Sequence, residues 1–184
     1  MIYEKIIFEG EHVSIASIGS MRERTVVLNG FSKSHSMTGW RLGWLLGPKS
    51  VVNEVDKLQQ HSLTCVPPFV QMGGVAALGC GQECVRKMTN EFRERRDLVV
   101  RRLNQMSGFE CMSPRGTFYA FPRFDFKMDS RKLAELLLEK AKVAVMPGSV
   151  FGASGEGHLR FSFATSLERI ETGMDRMEEA AKKL

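Results

Sequence analysis

The chain has 184 residues, 43% of them hydrophobic and 26% charged, the balance of an ordinary globular protein with length for one large domain or parts of two. Its net charge of +5 is modest, and the basic clusters at Arg93–Arg96 and Arg101–Arg102 alternate with Glu and apolar positions at helical spacing, without interleaved aromatics. That pattern argues for a solvated helix face and against nucleic-acid binding. No run approaches the roughly 18–20 apolar residues that span a bilayer, and charges interrupt the first five residues, so neither a membrane segment nor a signal peptide is expected and a cytoplasmic location is the default.

Four cysteines, Cys65, Cys80, Cys84 and Cys111, are too few for a disulfide scaffold in a chain this long. Cys80 and Cys84 would share a helix face, but no second pair follows at zinc spacing and His12, His35, His61 and His158 are scattered. Buried reduced thiols and no metal are expected.

Residues 25–31 form a β-branched apolar run ending at glycine, read as a buried strand that empties into a polar loop from Ser32 to Arg41. A second strand follows at 42–47 and stops at Pro48. Val51, Val52, Val55 and Leu58 give residues 49–61 helical spacing, and Pro67-Pro68 then breaks the chain. Residues 69 to about 106 carry one long helical pattern, of a length that often joins two domains. Beyond it, strands are expected at 117–121, 143–146 and 158–163, with an amphipathic helix over 130–142. A last helix starts at Thr165, with Glu168 completing a capping box, and ends at Lys182-Lys183.

The fold class is therefore α/β: an incomplete tail of a large-domain sheet in 1–100 and a small α/β domain in 101–184, joined by a long helix. The strands of the first part are apolar throughout, as in a sheet covered on both faces, so further structure is expected before residue 1.

The chemistry is concentrated in Gly30-Phe31-Ser32-Lys33-Ser34-His35-Ser36-Met37-Thr38-Gly39-Trp40-Arg41-Leu42-Gly43. Partial desolvation just past a buried strand would favour the neutral Lys33 amine that attacks carbonyls. Arg41, eight residues on, is a fixed-charge fork suited to a phosphate, and Gly39 would admit a bulky ligand close to the backbone. An amine beside a phosphate clamp is the minimal equipment for a Schiff-base cofactor that carries a phosphate.

This segment resembles the pyridoxal-phosphate (PLP) attachment motif of class I, fold type I aminotransferases. Its Met37-Thr38-Gly39-Trp40-Arg41-Leu42-Gly43 run is similar to the prokaryotic-type subgroup of aspartate and aromatic aminotransferases. The resemblance implies a PLP-dependent aminotransferase moving an amino group between an amino acid and a 2-oxo acid, as a homodimer. Lys33 matches the Schiff-base lysine and proton carrier, Tyr3 the tyrosine that hydrogen-bonds the cofactor's phenolate oxygen, and Arg41 the phosphate-binding arginine. Arg160, in His158-Leu-Arg-Phe-Ser162, matches the arginine that grips the substrate α-carboxylate. Gly116–Pro122 and Val145–Gly152 resemble a strand and a turn of the family's small domain.

The family's Asp that pairs with the pyridinium nitrogen falls just before Met1, and its Asn, ring-stacking aromatic and Gly-containing phosphate loop also precede this point. The 184 residues alone are therefore expected to be inactive. Two alternatives stay open: a PLP-dependent lyase or synthase on the same fold, and a non-catalytic regulator. The preferred amino acid is not legible.

Overall fold

The computed structural model describes residues 2–79 and 81–184. They form two compact units, Met1–Thr89 and Asn90–Leu184, and the division falls inside a helix.

The first unit opens on a segment anchored by buried Ile6 and Phe8. Ile6 N donates to Tyr3 O at 2.9 Å, and Thr89 Oγ1 donates to Lys5 O at 2.9 Å. After two 3-10 stretches, Ile15–Ser17 and Gly19–Arg24, comes the unit's framework: β1 (Val27–Gly30), α1 (Phe31–Ser34), a 3-10 turn (Thr38–Trp40) and β2 (Gly43–Leu46). The two strands pair antiparallel from Val27–Leu46 to Gly30–Gly43. Glycine at both ends of that last pair permits the approach: a Cβ on Gly30 would lie 3.0 Å from Leu42 O, and one on Gly43 3.0 Å from Asn29 O.

Helices α2 (Lys49–Ser62) and α3 (Pro68–Gly79) follow. A Cβ on Gly74 would lie 2.6 Å from Leu42 Cδ2 and 3.5 Å from the Phe31 ring, so the missing side chain is what admits α3 to the core of Phe31, Met37 and Ala77. The outer face of α3 is equally apolar and exposed, with Phe69, Met72, Val75 and Leu78 all more than 60% accessible.

The second unit begins within α4 (Glu83–Gln105) and continues through β3 (Phe109–Glu110), β4 (Tyr119–Ala120) and β5 (Arg123–Phe124). Then come α5 (Ser130–Leu136), one π turn (Leu137–Ala141), β6 (Met146–Pro147), 3-10 turns at Gly148–Phe151 and Ala153–Gly155, β7 (Leu159–Ser162) and α6 (Leu167–Ala181). β3 pairs with β5, and β7 lies between β4 and β6, all antiparallel. Alternation along β7 sends Leu159 and Phe161, with Phe163 just beyond, into the core and turns Arg160 and Ser162 to the other face. Val99 and Leu103 of α4, Leu133 and Leu137, and Ile170, Met174 and Met177 of α6 close that core at helical spacing.

Several sequence expectations are corrected. Residues 32–41 are not a loop throughout: Lys33 stands on a helix too short to show a period. The helical pattern over 69–106 is two helices, α3 and α4, with Gly81 and Gln82 outside both, where glycines weaken it. Of 143–146 only Met146 is in a strand, because Lys142 turns left-handed (φ 56°) and Val143 N stays bonded to Leu137 O. Ser166, not Thr165, caps α6, its Oγ accepting from Arg169 N at 3.4 Å; the expected Thr165–Glu168 box does not form. Cys65 and Cys84 are exposed rather than buried. Cys111 is buried, which pushes its thiol up to about 11, and Cys80 lies outside the described residues. The first unit's apolar strands are partly uncovered, as an incomplete sheet implies: Leu28 and Leu46 are 65% and 61% exposed.

The tightest backbone approach in the second unit is Gly148 against Gly155, where a Cβ on either residue would meet the other's carbonyl oxygen. Gly148→Ala should therefore destabilise the chain by about 1–3 kcal/mol, as overpacking does. Gly79→Ala, whose Cβ would meet nothing within 4 Å, should stay within about 0.5 kcal/mol. Urea denaturation of both variants is the check.

Candidate active site

In the first unit, the β1–β2 pair decides where Lys33 and Arg41 stand. Gly30 and Gly43 are partners across the ladder, Lys33 lies three residues past one and Arg41 two before the other, so both leave the same end of the hairpin. The closure is reinforced by Phe31 N donating to Leu42 O at 3.2 Å and Met37 N to Phe31 O at 3.4 Å. On α1, Phe31 and Ser34 share the buried face, and Lys33 lies off it, half-buried. Ser34 Oγ sits 2.8 Å from His35 Nδ1 and donates to Gly30 O at 3.3 Å.

The segment is strained at its middle and near its end. Ser36 (φ 53°) and Arg41 (φ 55°) hold left-handed backbone that non-glycine residues seldom adopt, and such outliers gather at ligand sites. The Arg41 guanidinium is exposed and donates from Nη1 to Thr38 O at 2.9 Å, which sets its direction without neutralising it. No carboxylate occurs between Gly30 and Gly43. Two cations, three serines and a threonine on one tight turn form a donor set that suits a phosphorylated carbonyl compound. Tyr3 is half-buried on the segment fixed by Ile6 and Phe8. A cavity of about 990 Å³ in the same unit, lined by Ser14, Arg22, Glu23, Trp44 and Pro48, includes none of Tyr3, Lys33 and Arg41.

Arg160 belongs to the second unit. On the outward face of β7 its guanidinium carbon lies 4.4 Å from the Tyr119 ring centre and 4.7 Å from that of Phe151. Tyr119 comes from β4, whose register sets Tyr119 opposite Ser162, diagonal to Arg160. The turn before it is strained at Thr117 (φ 68°), whose Oγ1 accepts from Tyr119 N at 3.2 Å. Among the described residues no carboxylate pairs with Arg160, so aromatic faces hold a planar cation whose N–H edges remain available to an anion. The sequence reading missed both rings as parts of this site. Their only signal was two aromatic residues in stretches flanking Arg160, and sheet register was needed to join them.

Comparison with known proteins identifies the chain's family. The family model for class I and II aminotransferases matches residues 1–177. The chain is 44% identical over 186 aligned residues to aromatic-amino-acid aminotransferase 2 of Thermococcus litoralis, covering 99% of this chain and 48% of the relative. It is likewise 44% identical to an aspartate aminotransferase of Pyrococcus abyssi, with the same coverage of each. A crystal structure of an aromatic aminotransferase from Pyrococcus horikoshii superposes with a TM-score of 0.95 at 44% identity, covering 99% of this chain and 50% of that one. The chain belongs to the class I and II aminotransferase family. Class I members are pyridoxal-phosphate-dependent, and the chain spans about half the length of the curated relatives it matches.

The stacking around Arg160 is measurable. A double-mutant cycle with Tyr119→Leu and Arg160→Met, followed by urea denaturation, should give a coupling of about 0.5–2 kcal/mol. A coupling within error of zero would mean the ring does not hold the guanidinium.

Proposed function

We propose that this chain supplies the cofactor lysine and the substrate arginine of a pyridoxal-phosphate-dependent aminotransferase that exchanges an amino group between an amino acid and a 2-oxo acid. The observation that carries this reading is the delivery of Lys33 and Arg41 from one end of the β1–β2 pair, with no acid between them. The relatives named above, aminotransferases acting on aromatic or aspartate substrates by their names, support transfer over elimination or a purely regulatory role.

Pyridoxal phosphate, when bound, supplies the electron withdrawal that weakens bonds at the substrate Cα. Lys33 is the covalent anchor, and its amine carries the proton to and from Cα; it stands half-buried, just off the face of α1 that Phe31 and Ser34 bury. Arg41 holds the phosphate: its guanidinium direction is set by Thr38 O, and its remaining donors can face two oxygens together. Tyr3 donates to the phenolic oxygen of the cofactor ring. Arg160, held over the Tyr119 and Phe151 rings, receives the substrate α-carboxylate through its N–H groups, which orients Cα and excludes amines lacking that group. A cytoplasmic homodimer is part of the same reading.

Two experiments test it. After addition of pyridoxal phosphate to the complete enzyme and reduction with borohydride, peptide mapping should find the label on Lys33, and Lys33→Ala in that enzyme should abolish turnover. Label spread over surface lysines with Lys33 unmodified would reject the assignment. In the complete enzyme, Arg160→Lys should cost about 1.5–3 kcal/mol in kcat/KM for every amino acid tried, since a point charge cannot reproduce the two-pronged contact. An unchanged kcat/KM would remove Arg160 from the site.

A further inference from the structure

The clamp on Arg160 has two walls that are held in different ways. Tyr119 is fixed by the β4–β7 ladder. Phe151 ends the 3-10 turn Gly148–Phe151, is 50% exposed, and belongs to no strand. Phe121 meets its edge at 6.0 Å and 81°, and itself stacks on His158 at 5.0 Å and 7°. Those rings support Phe151 from the side but do not fix the backbone that carries it.

The backbone is fastened elsewhere. Gly148 and Gly155 pinch the neck of the segment, and Gly148 N donates to His158 O at 2.8 Å. From that neck Glu156 reaches the start of α5. Its Oε1 accepts from Ser130 N at 2.7 Å and from Gly157 N at 3.0 Å, and its Oε2 accepts from Ser130 Oγ at 2.9 Å. Ser130 is completely buried, and its Oγ also lies 3.0 Å from Ser149 Oγ and accepts from Ser149 N at 3.3 Å. The path from Glu156 through Ser130 to Ser149 thus ends two residues before Phe151. Hydrogen bonds from Gly157 N and then from Ser130 N and Oγ hold the Glu156 carboxyl below its usual range, against weaker opposition from burial and Asp129. The group is therefore an anionic anchor with three donors.

We infer that Glu156 is a positioning residue for the carboxylate grip: through Ser130 and Ser149 it fixes the Gly148–Phe151 turn and so holds the Phe151 ring against the Arg160 guanidinium. The consequence for substrate rests on Arg160 receiving a carboxylate, whereas the ring position does not. An α5 cap with no further role would leave Arg160 untouched, and this separates the two explanations.

The test uses the full chain and follows the Arg160 Nε–H resonance by NMR, with propionate as the carboxylate probe. In the wild type, the two rings should shift that proton upfield, and propionate should perturb it. Glu156→Gln keeps the shape but exchanges an acceptor oxygen for a donor. It should move the free-state shift toward that of Phe151→Leu and raise the propionate Kd about two- to fivefold, the range for losing one exposed ring contact. Glu156→Asp should recover part of both effects. Wild-type shift and affinity in Glu156→Gln would overturn the inference. Should that variant not fold, Ser130→Ala decides: the same displaced shift is expected, and an unmoved one overturns it. Failure of propionate to perturb Arg160 in the wild type would count against the proposed role of Arg160, and the ring shift would still judge Glu156.

Discussion

The first unit depends on one close approach, the pairing of Gly30 with Gly43 at the end of the β1–β2 ladder. A side chain on either glycine would press on a backbone carbonyl of the facing strand, and the strands would have to part. Because they do not, the twelve residues between them must turn within a small space. The chain manages this with a four-residue helix, a 3-10 turn and two left-handed residues that are not glycine. The strain at Ser36 and Arg41 is held by burying Phe31 and Met37 under α3, which the bare backbone of Gly74 admits. Sheet closure, core packing and the placement of two cations are thus one arrangement.

The two proposed anion sites are held by different forces. Arg41 is directed by the carbonyl of Thr38, three residues back in the same turn, and is otherwise exposed, suited to a doubly charged group that brings its own hydration. The Arg160 guanidinium lies over two rings, where part of its hydration is replaced by aromatic faces. In neither case does a protein carboxylate occupy the guanidinium among the described residues, unlike Arg102, which bridges Asp175 and Glu178, or Arg96, which pairs with Asp97. Arg96 and Arg102 are thus neutralised by protein carboxylates, and among the described residues the two candidate ligand-binding arginines are not.

Contiguity decided what could be read from the sequence. Lys33 and Arg41 stand in one short motif of glycines and polar residues, so their neighbourhood was legible from residue types alone. Arg160 was legible as a strand residue through its apolar neighbours Leu159, Phe161 and Phe163, but its partners were not. Tyr119 reaches it through a register that alternation does not specify, and Phe151 through a loop pinned by Gly148 and Gly155. Glu156 and Ser130 are 26 residues apart and carry no shared pattern. Helix α2 was legible from its valines and leucine, whereas the single long helix over 69–106 was an overreading, because apolar residues on both sides of the glycine-rich break keep helical spacing. Thr165 and Ser166 are both able caps, and only the backbone chose between them.

The central claim is that the Lys33–Arg41 turn receives a phosphate-bearing carbonyl cofactor. Phosphorus NMR of the protein with pyridoxal phosphate tests it most directly, because the phosphate reports its own environment apart from any turnover. A resonance distinct from free cofactor should appear with the wild type, persist in Arg160→Met, and be lost or return to the free position in Arg41→Met. A bound resonance that ignores Arg41 and responds to Arg160 would contradict the account.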